Sequence, residues 1–109
     1  MATDCLFCKM VSGQIKPDKV HEDADILAFR DIHPQAPVHV LVIPKKHIPS
    51  LLTLDESDNA VLLELIATIK QITAQVVAEH GGARVLTNLG QYQDSKHLHF
   101  HINYGEALR

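Results

Sequence analysis

Residues 97–104 read HLHFHINY, in which polar and apolar side chains alternate along the chain. A β-strand points successive side chains to opposite faces, so this pattern predicts a strand. Its apolar side chains share one face and pack on the core, while His97, His99 and His101 share the other face, about 6.5–7 Å apart at Cα. The sequence therefore predicts a row of three imidazoles at an accessible surface or pocket.

The rest of the chain predicts a small antiparallel sheet beside one long helix. Val38–Ile43 is apolar except for His39 and is bounded by prolines, which predicts a strand buried on at least one face. Between Leu54 and His80 apolar residues recur at three- and four-residue spacings, which indicates an amphipathic helix that ends at Gly81-Gly82. The other predicted elements are strands at Lys19–Glu22, Ile26–Asp31, Arg84–Asn88 and His97–Tyr104 and a short helical turn after Cys5. About five antiparallel strands with one long and one short helix make an α+β architecture.

Length and composition narrow the class of protein. A chain of 109 residues predicts a single domain spanning residues 1–109. Its net charge of −3 argues against nucleic-acid binding, which favours a basic surface. The N-terminus lacks a signal-peptide pattern, and polar residues interrupt the apolar stretch Val61–Val77, so no membrane segment is predicted. The two cysteines favour thiols or metal ligands over a disulfide, and we expect a soluble cytoplasmic protein.

The histidine row allows three interpretations. An exposed polar face is one, but such faces are ordinarily built from Thr, Lys, Glu or Ser. A metal site is another, because alternate imidazoles on a strand reach one ion. In the third, a neutral imidazole attacks an electrophilic phosphorus near pH 7 while its neighbours donate hydrogen bonds to the developing oxyanion. No acidic cluster of the kind that binds magnesium accompanies the row, so we favour nucleophilic catalysis.

A second motif lies at the N-terminus, where Cys5 and Cys8 are separated by two residues. This spacing lets both thiolates bind one tetrahedral Zn²⁺, although such a site needs two further ligands. The same pair is consistent with buried free thiols that bind no metal. A redox pair is less favoured, because the motif does not follow a strand in a βαβ unit.

The histidine row and its flanking segments resemble the histidine triad (HIT) superfamily and, within it, the Hint-like nucleotide hydrolases. The family motif is His-φ-His-φ-His-φ-φ, where φ is hydrophobic, and it appears here at residues 97–103 with Asn103 in the last position. The likeness continues through residues 5–9, 26–32 and 34–48. It therefore covers nearly the whole chain in the expected order.

The resemblance implies an activity and a role for each matching histidine. His99 would attack the α-phosphorus of a nucleoside phosphoramidate or related nucleotide, and water would release a nucleoside monophosphate from the nucleotidyl-histidine. His101 would contact the phosphate, and a main-chain carbonyl would hold the Nδ1 proton of His99 so that Nε2 points outward. His97 and His47 would complete the histidine cluster of the active site.

The resemblance also implies a site for a purine nucleotide such as an AMP conjugate, a metal site and a twofold homodimer whose sheets join. The nucleotide would contact Phe7, Phe29 and Ile32 at the base, Asp31 at the ribose hydroxyls, Asn88 between ribose and phosphate, and Gln93 and Asp94 in the loop before the histidines. A structural zinc ion would be held by Cys5, Cys8, His47 and His97. The chemistry itself would require no cofactor.

The chain departs from the Hint pattern in the loop before the histidines, where the family has Gly-Gln-Ser. Gln93 matches, but Tyr92 and Asp94 replace the glycine and the serine, and Ser95 stands one place late. Asp94 would act as a general acid if its pKa were raised, whereas an anion beside the phosphate would slow turnover or change the substrate. Two alternatives to a hydrolase therefore stay open: a nucleotide-binding regulatory module with little or no turnover, and a protein in which the three histidines bind a metal.

The second departure is the tail at Gly105–Arg109, which lacks the aromatic C-terminal segment of many Hint proteins. The remaining polar residues receive structural or surface roles. These are His21, His33, His39 and His80, together with Lys45 and Lys46, which are expected to form a solvated charge pair or to steer anionic substrates.

Overall fold

A five-stranded antiparallel sheet forms the centre of the protein in a computed structural model, which describes residues 5–107. The elements are α1 (Leu6–Ser12), β1 (Asp18–Glu22), β2 (Ile26–Arg30), β3 (Val38–Pro44), α2 (Asn59–His80), β4 (Arg84–Leu86) and β5 (Phe100–Tyr104). The strands lie in the order β1-β2-β3-β5-β4, and each neighbouring pair is antiparallel. The predicted α+β architecture with one long and one short helix is confirmed.

Helix α2 covers one face of the sheet. Leu65, Ile69 and Ile72 recur at helical spacing on its buried side and pack against Val42 and Ile102 of the central strands. Burying one such side chain contributes about 1.5–3 kcal/mol, so this apolar contact holds the helix on the sheet.

The helical pattern begins at Leu54, and within it the main helix α2 starts at Asn59. The segment before α2 forms two 3₁₀ turns. The side chains of Ser50 and Asp55 accept hydrogen bonds from backbone N–H groups two residues further on. Caps of this kind start a new turn and so break the segment into short pieces.

Helix α1 packs on the opposite face of the sheet. Phe7 and Met10 are buried against Leu27, Leu41 and Ile43 in a second, smaller core cluster. The sulfur of Cys5 accepts a hydrogen bond from the backbone N–H of Cys8 at 3.3 Å and thereby caps the first turn. The short helix therefore brings both thiols to the face of the sheet that lies opposite α2.

Strand β5 is shorter than predicted, since it begins at Phe100 rather than His97. Val42 pairs with Phe100, and continuing that register would place Leu98 opposite Pro44, which has no N–H to donate. The N–H of Leu98 donates instead to the carbonyl of Ile48 at 2.6 Å. The first part of the histidine row therefore leaves the sheet ladder.

Strand β4 also ends early, at Leu86 rather than Asn88. Its last ladder pair joins Leu86 to His101. Beyond that pair the hydroxyl of Thr87 donates to the carbonyl of His99 at 2.7 Å. A side chain therefore provides the contact between the two segments where the ladder ends.

The outer side of α2 exposes three large apolar side chains among polar ones. Leu63, Ile66 and Val77 are 71%, 49% and 47% exposed. By length and composition alone the segment Glu56–His80 would pass for a membrane-spanning helix. Because its inner side packs on the sheet, the same pattern is that of the core helix of a soluble protein.

We predict that Gly105→Ala lowers the free energy of unfolding by about 2 kcal/mol or more. Gly105 has φ +98°, and a Cβ there would lie 2.7 Å from Cγ and Cδ of Pro37. Gly13→Ala is a matched control, because Gly13 has φ +89° but no atom of residues 5–107 lies within 4 Å of an added Cβ. Urea unfolding of both variants measures the difference, and equal losses would contradict a steric role for Pro37.

Candidate active site

The histidine row keeps its predicted alternation although only part of it is a strand. Leu98 and Ile102 are buried in the core cluster under α2, while the three imidazoles lie on the α1 side. The ring centroids of His99 and His101 are 5.1 Å apart. The expectation of an accessible row is wrong for two of the three, because His97 is completely buried and His99 is only 6% exposed, while His101 is half-buried.

His99 has one ring nitrogen committed and one free to react. Its Nδ1 lies 2.7 Å from the carbonyl oxygen of His97. A carbonyl only accepts, so Nδ1 carries the proton and Nε2 carries the lone pair. The main-chain acceptor expected for His99 is therefore present. The ring of Phe7 packs edge-on against the imidazole, with the two ring centroids 5.1 Å apart.

His101 is held by a histidine that sequence reasoning assigned only to structure. The backbone N–H of Gln35 donates to Nδ1 of His39 at 3.0 Å, so Nε2 of His39 carries its proton. That Nε2 lies 2.8 Å from Nδ1 of His101, which therefore accepts. The proton of His101 is left on Nε2, a buried atom that has no hydrogen-bond partner among residues 5–107.

The neutral imidazole of His101 therefore has an Nε2–H group that can donate a hydrogen bond to a ligand. Burial and the neighbouring His99 and His39 lower its pKa from 6.5 to about 4. Burial likewise lowers the pKa of His39. A buried N–H without a partner is costly, so an incoming oxygen of a ligand would be favoured there. The signal for His39 in the sequence is one polar residue inside the otherwise apolar run of β3.

The two thiols meet two imidazoles in a single cluster beside this site. One donor atom from each of Cys5, Cys8, His47 and His97 lies within 4.8 Å of the other three. Nδ1 of His97 is 3.3 Å from the sulfur of Cys5 and 3.1 Å from Nδ1 of His47. The sulfur of Cys8 is 3.2 Å from Nδ1 of His47.

The protonation of His97 suits metal binding. Its Nε2 lies 2.8 Å from the carbonyl of Pro44 and donates to it, which leaves the lone pair of Nδ1 directed at the cluster. Burial lowers the pKa of His97 to about 4, so the ring is neutral. A tetrahedral ion with two sulfur and two nitrogen ligands keeps them about 3.3–3.8 Å apart, close to the distances seen here. The four predicted ligands therefore form a cluster that fits a metal ion.

The protein alone would keep the thiol of Cys8 protonated. Burial, together with Cys5, raises the pKa of the Cys8 thiol to about 11. A bound divalent cation would reverse this preference, because the thiolate is the form that binds metal.

The loop that carries His47 is braced by two ion pairs. Lys45 Nζ lies 2.8 Å from Glu22, and Lys46 Nζ lies 2.6 Å from the nearly buried carboxylate of Asp58. The side chain of Lys46 is 53% exposed, as expected of a solvated charge, but both lysines are ion-paired rather than free. Each lysine anchors the loop to a different element.

Comparisons with known proteins agree on one family. The family model described as "Scavenger mRNA decapping enzyme C-term binding" matches residues 4–106. A HIT-like protein of Synechococcus elongatus is 43% identical over 99% of this chain and 96% of its own length. The chain belongs to the HIT superfamily. Among solved structures, a HIT family hydrolase from Legionella pneumophila is 37% identical, with a TM-score of 0.85 and 96% of each chain covered. A histidine triad protein from Clostridium difficile is 39% identical, with a TM-score of 0.85 over 100% of this chain and 96% of its own.

The predicted nucleotide contacts of this HIT protein fall into two groups. Phe7 and Phe29 are buried together, with ring centroids 5.7 Å apart, and Phe7 borders His99. Asp31 accepts a hydrogen bond from the N–H of His33 at 2.9 Å, and its other oxygen lies 3.5 Å from His39. These residues are contiguous with the histidines.

The second group lies in loops and is more open. Ile32 is 74% exposed, and Asn88 lies in the loop after β4, half-buried. Asp94 is exposed, and its charge, like that of Asp31, opposes the fall in the pKa of His101. Both carboxylates therefore lie within electrostatic reach of that ring. The nucleotide role of every residue in the two groups stays a prediction.

Gln93 has a structural contact in this HIT protein. Its Nε2 donates to the carbonyl of Pro49 at 2.6 Å and to that of Ser95 at 2.9 Å. The ammonium of Lys96 binds the carbonyls of Gly90 and Gln93 in the same loop. The loop before the histidines is thus held by its own side chains, and the amide nitrogen of Gln93 is already engaged.

We predict that acidification destabilises this HIT protein through His101. The unfolded chain protonates histidine near pH 6.5 but the folded chain only near pH 4, so the unfolded state binds more protons between these values. The free energy of unfolding therefore falls as pH drops from 6.5 to 4, by up to about 3 kcal/mol for this group. Urea unfolding at several pH values should show a shallower dependence in His101→Gln, and an unchanged dependence would contradict the assignment.

Proposed function

We propose that this protein is a hydrolase that cleaves purine nucleoside 5′-phosphoramidates, such as AMP conjugates, through a covalent bond to His99. The observation that carries the proposal is the hydrogen bond from Nδ1 of His99 to the carbonyl of His97. It holds the ring in the one neutral form whose Nε2 is a nucleophile. The hydrolase described from Legionella pneumophila supports the general class of reaction.

The first step forms a bond between Nε2 of His99 and the α-phosphorus while the bond from phosphorus to the amine nitrogen breaks. The amine leaves after gaining a proton from solvent water. The carbonyl of His97 stabilises the positive charge that develops on the His99 ring, because it accepts from Nδ1. The buried Nε2–H of His101 donates to a phosphoryl oxygen whose charge increases.

The second step returns His99 to its starting state. Water attacks the phosphorus of the nucleotidyl-histidine and gives up a proton to the solvent, the bond to Nε2 breaks, and a nucleoside monophosphate leaves. The same two hydrogen bonds act in both steps. His97 contributes the carbonyl that holds the ring of His99, and His47 contacts the ring of His97. No step requires a metal.

The nucleotide would lie across the α1 face beside the histidines. Phe7 and Phe29 offer apolar surface to the base, and Asp31 offers a carboxylate to the ribose hydroxyls. The four-residue cluster would hold a structural zinc ion that ties α1 to the histidine row.

A homodimer is part of the proposal. Strand β4 is an edge strand with exposed Val85 and Leu86, and the outer side of α2 exposes Leu63 and Ile66. Pairing two copies at this edge would cover both apolar surfaces and extend the sheet. Light scattering should give a molecular mass of twice 12.1 kDa.

The free thiols favour a reducing compartment, which supports a cytoplasmic location.

Incubation with adenosine 5′-phosphoramidate tests the function, with release of AMP followed by chromatography. The alternative is a nucleotide-binding regulatory module, which the exposed carboxylate of Asp94 near His101 favours, because an anion there opposes a phosphate. Calorimetry that shows AMP binding without any AMP release would support this alternative and overturn the hydrolase.

A further inference from the structure

The peptide group of His99 lies where the sheet has ended on both sides. On the β3 side the last pair is Val42 with Phe100, and on the β4 side it is Leu86 with His101. No ladder pair among the described residues includes His99 itself. The backbone beneath the proposed nucleophile therefore lacks the regular hydrogen bonds that hold the rest of β5.

The side chain of Thr87 supplies a bond at this point. Its Oγ1 donates to the carbonyl oxygen of His99 at 2.7 Å, and the contact is partly buried. Thr87 directly follows β4, so the backbone of the strand fixes the position of the hydroxyl group. One hydroxyl thus replaces the missing ladder contact.

We propose that Thr87 is a positioning residue for the nucleophile, an inference that rests on the proposed function of His99. Two hydrogen bonds then define the orientation of His99. The carbonyl of His97 holds Nδ1 of the ring, and the hydroxyl of Thr87 holds the carbonyl of the same residue. The first bond limits rotation of the ring, and the second limits rotation of the peptide from which the ring projects.

Loss of the second bond should affect the chemical step more than binding. In-line attack needs Nε2 about 3–3.5 Å from phosphorus, and a displacement of 1 Å in an active site lowers rates by up to about 100-fold. The nucleotide contacts proposed for Phe7 and Asp31 lie on other elements and do not depend on this hydroxyl. Thr87 therefore acts through His99 and touches no reacting atom.

Thr87→Val and Thr87→Ser test the proposal with adenosine 5′-phosphoramidate as substrate. Valine keeps the shape of threonine but has no donor, so kcat should fall about 10-fold or more while KM changes less than about twofold. Serine keeps the donor and should restore kcat to within about threefold of the parent. Thr68→Val is the matched control, because Thr68 donates to the carbonyl of Glu64 within α2, and it should keep the parent kcat.

Nitrogen NMR of the His99 imidazole gives a second readout that needs no turnover. Thr87→Val should shift the Nδ1 and Nε2 resonances of His99 or broaden them, while Thr87→Ser and Thr68→Val leave them in place. The inference is overturned if Thr87→Val keeps the parent kcat, if serine is as impaired as valine, or if the His99 resonances are unchanged. Failure of the parent protein to release AMP would instead overturn the proposed function.

Discussion

Replacing His99 with alanine is expected to lower the rate of AMP release about 10⁴-fold or more. Among residues 5–107, the substitution removes the only ring nitrogen that the structure leaves as a free nucleophile beside a buried donor. His101 cannot take over, because its Nδ1 is bound to His39 and its Nε2 carries the proton. Single-turnover kinetics with adenosine 5′-phosphoramidate measures the loss.

Binding of AMP should survive in His99→Ala, because the proposed base and ribose contacts come from α1, from β2 and from the segment after β2. Calorimetry with AMP checks this separately from turnover. His33→Ala is the matched control, since that side chain is exposed and lies outside the histidine row. A His99→Ala protein that cleaves as fast as the parent would exclude the covalent mechanism.

Metal removal is expected to cause the largest loss of stability. An ion bound by Cys5, Cys8, His47 and His97 would join α1, the loop after β3 and the histidine row. At a free metal concentration 1,000 times its dissociation constant, binding stabilises the folded state by about 4 kcal/mol. A chelator should therefore lower Tm by roughly 15–30 °C in a domain of this size.

Cys8→Ser tests the same cluster without a chelator. Serine binds zinc poorly in place of a thiolate, so the purified variant should contain less zinc and melt near the temperature of the chelated parent. Elemental analysis gives the metal content, and His33→Ala should retain the metal. A parent protein that binds no zinc when it is supplied, or whose Tm ignores the chelator, would contradict the metal site.

The assignment of faces could be predicted because it depends only on local period. Strict alternation separates Leu98 and Ile102 from the histidines whatever the neighbours are, and the structure confirms that separation. A 3.6-residue period likewise identifies Leu65 and Ile69 as buried residues of a long helix. Both inferences need no knowledge of which elements pack together.

The length of the histidine strand could not be predicted from its own residues. His97 and His99 fit a strand locally, but Pro44 stands across from Leu98 and has no N–H to offer. The role of His39 was missed for the same reason, since only the pairing of β3 with β5 brings its ring to His101.

The amino-acid sequence by itself determined which side chains share a face and which residues form the long helix, and its resemblance to HIT proteins implied which four residues would carry the donor atoms of a metal site, a site that stays a prediction. Only the tertiary structure decided that those donor atoms converge, that Lys45 and Lys46 are paired rather than free, and that Thr87 holds the backbone of His99. The physical reason is that the two kinds of information come from interactions at different separations along the chain. Periodicity acts between neighbours along the chain, whereas hydrogen bonds across strands depend on register and on where each ladder ends.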